Sequence, residues 1–159
     1  KGTIYKHFES KEQIYAKLVL AWQQRVLEEL RRIDFTLPAL SVLGAAMDVF
    51  WRSHRSSRDR RLMSFCRRED FHSTIGPALA KELDGLDESF SALLDPVLER
   101  GVKDGSVVDR PVPVLALGLH AALVGVIEMQ GSECMPTGLT ADQQYEVVKE
   151  FALRGISRR

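Results

Sequence analysis

Apolar residues recur through the first fifth of this chain at a spacing that only a helix can use. Ile14, Leu18, Trp22, Val26 and Leu30 follow one another at intervals of four, and Ile33 comes three later. Arg, Glu and Gln fill most of the intervening positions. Such a pattern predicts one long amphipathic helix over residues 11–33, with an apolar stripe that must be covered by other elements. Ser10, with Gln13 three residues later, supplies the N-cap signature that would start it.

The same periodicity continues to the end. Residues 34–37 break the first helix, and Pro38 suits a new first turn. Leu40, Leu43, Met47, Phe50, Trp51 and His54 then lie along one side of a helix over residues 39–54. Ser56 or Ser57 can cap a shorter helix reaching about residue 70, with Leu62, Phe65 and Cys66 inward; residues 71–76 read as a loop. Pro77 opens another helix, striped by Leu79, Leu83, Leu86, Phe90, Leu93 and Val97. Pro96 should kink that helix or loosen its last turns, and Gly101 and Gly105 mark its end. Asp109 reads as the cap of a helix over residues 111–130 that is apolar nearly all round. Thr140 and Gln143 form a second capping box before a last helix to about residue 156. With no strand-like alternation or internal repeat, the fold class is all-α.

Residues 1–13 carry the functional signal. Lys1, Gly2, Thr3, Ile4, Tyr5, Lys6, His7 and Phe8 put cations, a hydroxyl and a phenol on a short helix just before the break at Ser10. Such a surface suits an acidic, grooved partner, namely DNA. The stretch resembles the end of the DNA-binding domain of TetR-family transcriptional regulators, in which a recognition helix of the form Gly-Thr-hydrophobic-Tyr-aromatic-His-Phe is followed by Ser-Lys-Glu and a long connecting helix. The resemblance implies that Thr3, Tyr5 and Lys6 face the groove and backbone of double-stranded operator DNA, that His7 approaches a phosphate, and that Lys11 reaches another beside the connecting-helix N-terminus. It divides the chain into a remnant of a helix-turn-helix head (residues 1–10), a connecting helix (residues 11–33) and a helical ligand-binding and dimerisation domain (residues 34–159). The family places two more helices ahead of the recognition helix, so the expectation is that the DNA-binding head continues upstream of Lys1.

Composition narrows the alternatives. Formal net charge is zero, but its distribution is uneven. Residues 1–33 are mildly basic, residues 52–70 carry seven arginines against three acids, and residues 81–109 carry eight acids against three bases. The arginine run reads as a solvated helix face, with anionic-ligand binding as the sharper alternative. Cys66 and Cys134 lie far apart without metal-ligand spacing, which fits a reducing cytoplasm and two inert thiols; Arg67 and Arg68 leave open a redox-sensing Cys66. Residues 111–127 lack formal charge, but 17 residues broken by prolines and glycines are short of the roughly 20 needed to span a bilayer. No membrane association is expected.

Two further sets of residues follow. Phe50, Trp51 and His54 form an aromatic patch that Phe65, Cys66, Phe90, Leu94 and His120 could complete as an apolar cavity with a few polar points, suited to a small, largely apolar ligand. For any single one of them, packing within a core is the better explanation; the cavity reading rests on the set. A helix apolar on every side needs cover on every side, so the helices over residues 111–130 and 141–156 should pair with those of a second copy, the alternative being a helix at the centre of its own chain's core. Leu117, Ala121, Val124, Val148, Phe151 and Ala152 would form that homodimer interface, as the resemblance also implies. No Ser-His-Asp pattern, Gly-rich phosphate loop or metal-ligand spacing suggests an enzyme, and no cofactor is implied; Glu69, Asp70 and His72 are a weak cluster. The leading expectation is a ligand-responsive repressor, and the alternative is an all-helical binding or carrier protein without DNA function.

Overall fold

The computed structural model describes residues 10–54, 56–66, 70–130 and 138–158. They form α1 (Lys11–Leu30), α2 (Ala39–Ser53), α3 (Ser57–Cys66), α4 (Phe71–Ile75), α5 (Pro77–Asp104), α6 (Val112–Glu128) and α7 (Ala141–Ile156). Among the described residues the sole β-type pairing is an isolated bridge between Val107 and Ser157. It fastens the end of α7 to the α5–α6 connection, where Val108 N–H donates to the Ile156 carbonyl at 2.8 Å.

Local chemistry sets most helix ends. Ser10 Oγ accepts from Gln13 N–H at the start of α1. Thr140 and Gln143 exchange both bonds of a capping box at α7. Gly105 closes α5 in the left-handed conformation, with φ of 80°. Arg100, near that end, donates to the Phe35 and Leu37 carbonyls and ties α5 to the α1–α2 turn.

Several expectations need correcting. α1 stops at Leu30, and Ile33 lies beyond it. Its buried face is Ala16, Val19 and Leu20 in the first half, then Trp22, Val26, Leu27 and Leu30, while Leu18 is 40% exposed. The reason is geometric: four residues turn about 400°, so a row of strict four-residue steps drifts around the helix. Residues 71–75 form a single helical turn, α4, which buries Phe71 and Ile75. α5 runs unbroken through Pro96 and Gly101 for 28 residues. Gly101 is there because a Cβ would come within 2.9 Å of Ala39 Cβ and closer still to Val107 Cγ2. Asp109 does not cap α6; Pro111 takes that position, without a side-chain bond.

Three apolar clusters hold the helices together. The largest joins α2, the end of α5, α6 and α7 around Val42, Leu98, Leu123 and Tyr145. A second packs Ala16, Val19 and Leu20 of α1 on α4 and the start of α5. The third sets Trp22, Val26 and Leu30 of α1 against Ala46 and Val49 of α2.

The seam between α2 and α7 also contains polar bonds. The Trp51 and Tyr145 rings stack, 4.7 Å apart and 2° from parallel. Trp51 Nε1 donates to Asp142 Oδ1 at 2.8 Å, and Tyr145 Oη donates to Asp48 Oδ1 at 2.6 Å. Lys149 bridges Asp48 and Glu146. Burial and the Asp48 bond push the Tyr145 hydroxyl far above the ordinary phenol range. Burial pulls Lys149 down, but its bonds to Asp48 and Glu146 more than offset that and hold its ammonium above the usual lysine value.

Candidate ligand-binding cavity

α2, α5 and α6 do not close on one another along their middle turns. α5 is buried at its two ends, through Leu79 and Leu83 and again through Val97, Leu98 and Gly101. Between them Leu86, Phe90, Leu93 and Leu94 are only half-buried. Phe90 and Leu94 border a cavity of ≈ 170 Å³ walled by Leu43, Met47 and Phe50 of α2, by Phe90, Leu94 and Leu98 of α5, and by Leu119, His120 and Leu123 of α6.

A second compartment of ≈ 300 Å³ shares the wall of Phe50, Phe90, Ser91, His120 and Leu123. It reaches α1 at Trp22 and Gln23, and includes His54 and Asp87. Together the two volumes fall in the range of small-molecule sites. Phe50 and Phe90 form a tilted pair 5.6 Å apart at their junction.

The polar groups gather at the α1 end. His54 Nδ1 lies 2.7 Å from the Phe50 carbonyl, so in the neutral ring Nδ1 carries the proton and Nε2 is an acceptor. Its edge packs on Trp22, with centroids 4.7 Å apart. Gln23 Nε2 donates to Asp87 Oδ1 at 3.5 Å across the α1–α5 interface. Gln23 Oε1 is fully buried and accepts no hydrogen bond from any described residue. Asp87 sits at the rim; partial desolvation first, and then Asp84, push its carboxyl above the usual carboxylate range, against the pull of His72 and His120.

The structure thus brings Phe50, His54, Phe90, Leu94 and His120 onto two adjoining cavities with a shared wall and puts two other candidates elsewhere. Trp51 faces the α7 seam. Phe65 packs between Tyr15 and Phe71, 4.4 Å and 5.7 Å away, under α1 and α4. The Cys66 side chain lies outside the described residues, as do Thr3, Tyr5, Lys6, His7 and Cys134. Lys11 is exposed at the start of α1, beside Glu12. His120, expected inside an apolar helix, is exposed at the cavity mouth. Gln23, Asp87 and Ser91 were not singled out from the sequence, since nothing local marks them.

The α6–α7 pair leaves apolar surface uncovered. Leu117 and Phe151 are 67% and 74% exposed, Ala121 is exposed, and Val124, Val148 and Ala152 are half-buried. A Cβ on Gly118 or Gly125 would meet nothing within 4 Å among the described residues. Among those residues no helix is long and apolar enough to cross a membrane, and no three His, Cys, Asp or Glu side chains come together as a metal site.

No family model matches the sequence, and no curated protein matches it. Among solved structures the chain is similar to a bacterial regulatory protein in the TetR family from Rhodococcus RHA1. The likeness has a TM-score of 0.77 at 18% identity and covers 99% of this chain and 80% of that one. Architecture is what so distant a likeness establishes: the chain has the all-α fold of a TetR-family regulator.

Proposed function

We propose that the chain belongs to a ligand-responsive, DNA-binding transcriptional regulator, a cytoplasmic homodimer that a small, largely apolar inducer releases from its operator. One observation carries this reading. The cavity between α2, α5 and α6 extends to Trp22 and Gln23 on α1, and α1 runs directly from Lys11, next to the basic, aromatic segment of residues 1–10. A molecule filling the cavity therefore presses on the helix that begins at Lys11 and follows in sequence the proposed DNA-reading residues Thr3, Tyr5, Lys6 and His7.

A dimeric reader must hold its two recognition helices about 34 Å apart to enter successive major grooves. A small rotation of α1 spoils that spacing. The ligand acts only through its different affinity for the two arrangements. Exposed Leu117 and Phe151, with the bare Gly118 on the same surface of α6, support α6 and α7 as the side that a second copy covers.

The test is selection of duplexes from a random pool by the complete protein, followed by a salt titration. Affinity should fall steeply with salt, and Lys11→Ala should reduce the log–log slope by about one. Cavity binding without any duplex enrichment would favour the carrier reading instead. For assembly, the double variant Leu117→Arg/Phe151→Arg should halve the solution mass, and an unchanged dimer mass would remove these residues from the interface.

A further inference from the structure

We infer that the middle of α5, residues 86–95, is a hinged lid over the cavity, pivoting at Gly85 and Pro96 to let a small apolar molecule in and out. This rests on the reading of the cavity as a ligand site and specifies how that site is reached.

The burial pattern of α5 sets the limits of the lid. Leu79 and Leu83 fix one end of the helix on α1 and α4, and Val97 and Leu98 fix the other in the largest cluster. Every residue of α5 from Asp84 to Pro96 is half-buried or exposed. That stretch is also the cavity wall, which it forms with Asp87, Phe90, Ser91, Leu94 and Asp95. Its hold on the rest of the chain is weak. Phe90, Leu93 and Leu94 pack only half-buried on the third cluster, and the Gln23–Asp87 bond to α1 is long, at 3.5 Å.

Both limits coincide with residues that weaken a helix. Gly101 is required by a close approach, but a Cβ on Gly85 would meet nothing within 4 Å among the described residues. Positive φ among those residues is confined to Gly76, Gly105 and Gly138, so Gly85 has ordinary helical geometry. Neither packing nor backbone conformation calls for glycine there, and its contribution is conformational freedom. One turn on, Ser89 Oγ donates to the Gly85 carbonyl at 2.8 Å, a back-bond of the kind that bends helices. At the other limit Pro96 has no N–H to give the Ala92 carbonyl, and its ring crowds that carbonyl. The helix stays continuous through both positions, so they act as pivots and not as ends. Outward movement between them parts Phe90 from Phe50, 5.6 Å apart at the shared wall, and widens the way into both compartments.

Hydrogen exchange of the full chain, and stopped-flow binding of N-phenyl-1-naphthylamine, a neutral apolar dye that brightens on burial, test the lid. Without dye, the amides of residues 88–95 should exchange at least about tenfold faster than those of residues 98–103. Equal protection overturns the lid. Gly85→Ala and Pro96→Ala should each slow dye entry and dye release together, by about threefold or more, and leave Kd within about twofold, since a gate acts on both directions alike. Both substitutions favour helix, so neither threatens the fold. Ala92→Gly, in the exposed middle of the lid, should speed both rates. Rates unchanged in all three variants, or one rate moving without the other, overturn the lid while the cavity stands as a ligand site. A dye that does not bind overturns the cavity reading and the lid with it.

Discussion

Phe50 and Trp51 are consecutive in the sequence and face two different kinds of packing. Trp51 lies in the α2–α7 seam, where ring stacking, a 2.8 Å bond to Asp142 and the Tyr145–Asp48–Lys149 chain pair the polar atoms. Phe50 lies about 100° further round α2, where helices stand apart around a cavity. Among the described residues the one buried side-chain polar atom without a partner, Gln23 Oε1, belongs to that second region. One helix thus serves a region packed for stability and another in which packing is incomplete. Binding sites concentrate such local inconsistencies, because a surface completed by its own chain has nothing left to offer a ligand.

The seam should give the largest response. Trp51→Ala removes a stacked, buried indole together with its bond to Asp142, and should cost about 3–5 kcal/mol in denaturant unfolding. Tyr145→Phe leaves the ring stack but deprives Asp48 of a donor, and should cost about 1–3 kcal/mol. If either loss fell below that of a cavity-wall substitution such as Leu94→Ala, the contrast between the regions would be wrong.

Adding volume should have opposite signs in the two regions. Gly101→Ala drives a methyl into Val107 and Ala39, and should destabilise by about 1–3 kcal/mol. Ala116→Leu on α6 grows instead into the space beside Phe50 and Phe90, and should stabilise by about 0.5–2 kcal/mol while weakening binding of any cavity ligand. Thermal unfolding of both variants with and without probe reads the two signs directly. A destabilising Ala116→Leu would mean that the cavity walls have no slack.

How far the sequence reveals this contrast depends on the range of the interaction. The caps at Ser10 and Thr140 and the αL glycine at Gly105 are legible because each is fixed within a turn or two, whereas α2 also buries Val42, Ala46 and Val49, and Leu40 and Phe50 of its expected stripe are only half-buried. α4 is not, since five residues carry no period. Nor is the role of Gly101, which depends on a Val107 side chain placed by the turn after α5. The aromatic patch at residues 50, 51 and 54 is visible as composition, but a rotation of about 100° per residue sends Trp51 away from Phe50. Only the partner helices decide which face meets a cavity. Gln23 and Asp87 are 64 residues apart, and their meeting is a property of how α1 lies on α5.

The smallest expected effect is a pH dependence of stability at a single position. The Asp87 carboxyl titrates above its unfolded value of 3.8, chiefly through desolvation and then through Asp84. Between those two values the folded chain holds a proton that the unfolded chain releases. This group's stabilising contribution is therefore complete below 3.8 and is lost as pH rises through the folded-state value. Asp87→Asn keeps the shape and removes the titration. Variant and parent should be equally stable near pH 3, and the variant should be the more stable at pH 7. Asp87 is at the exposed rim, so screening keeps the gain below about 1 kcal/mol. A parent more stable than Asp87→Asn at pH 7 would show instead that the carboxylate already has its counter-charge within the chain.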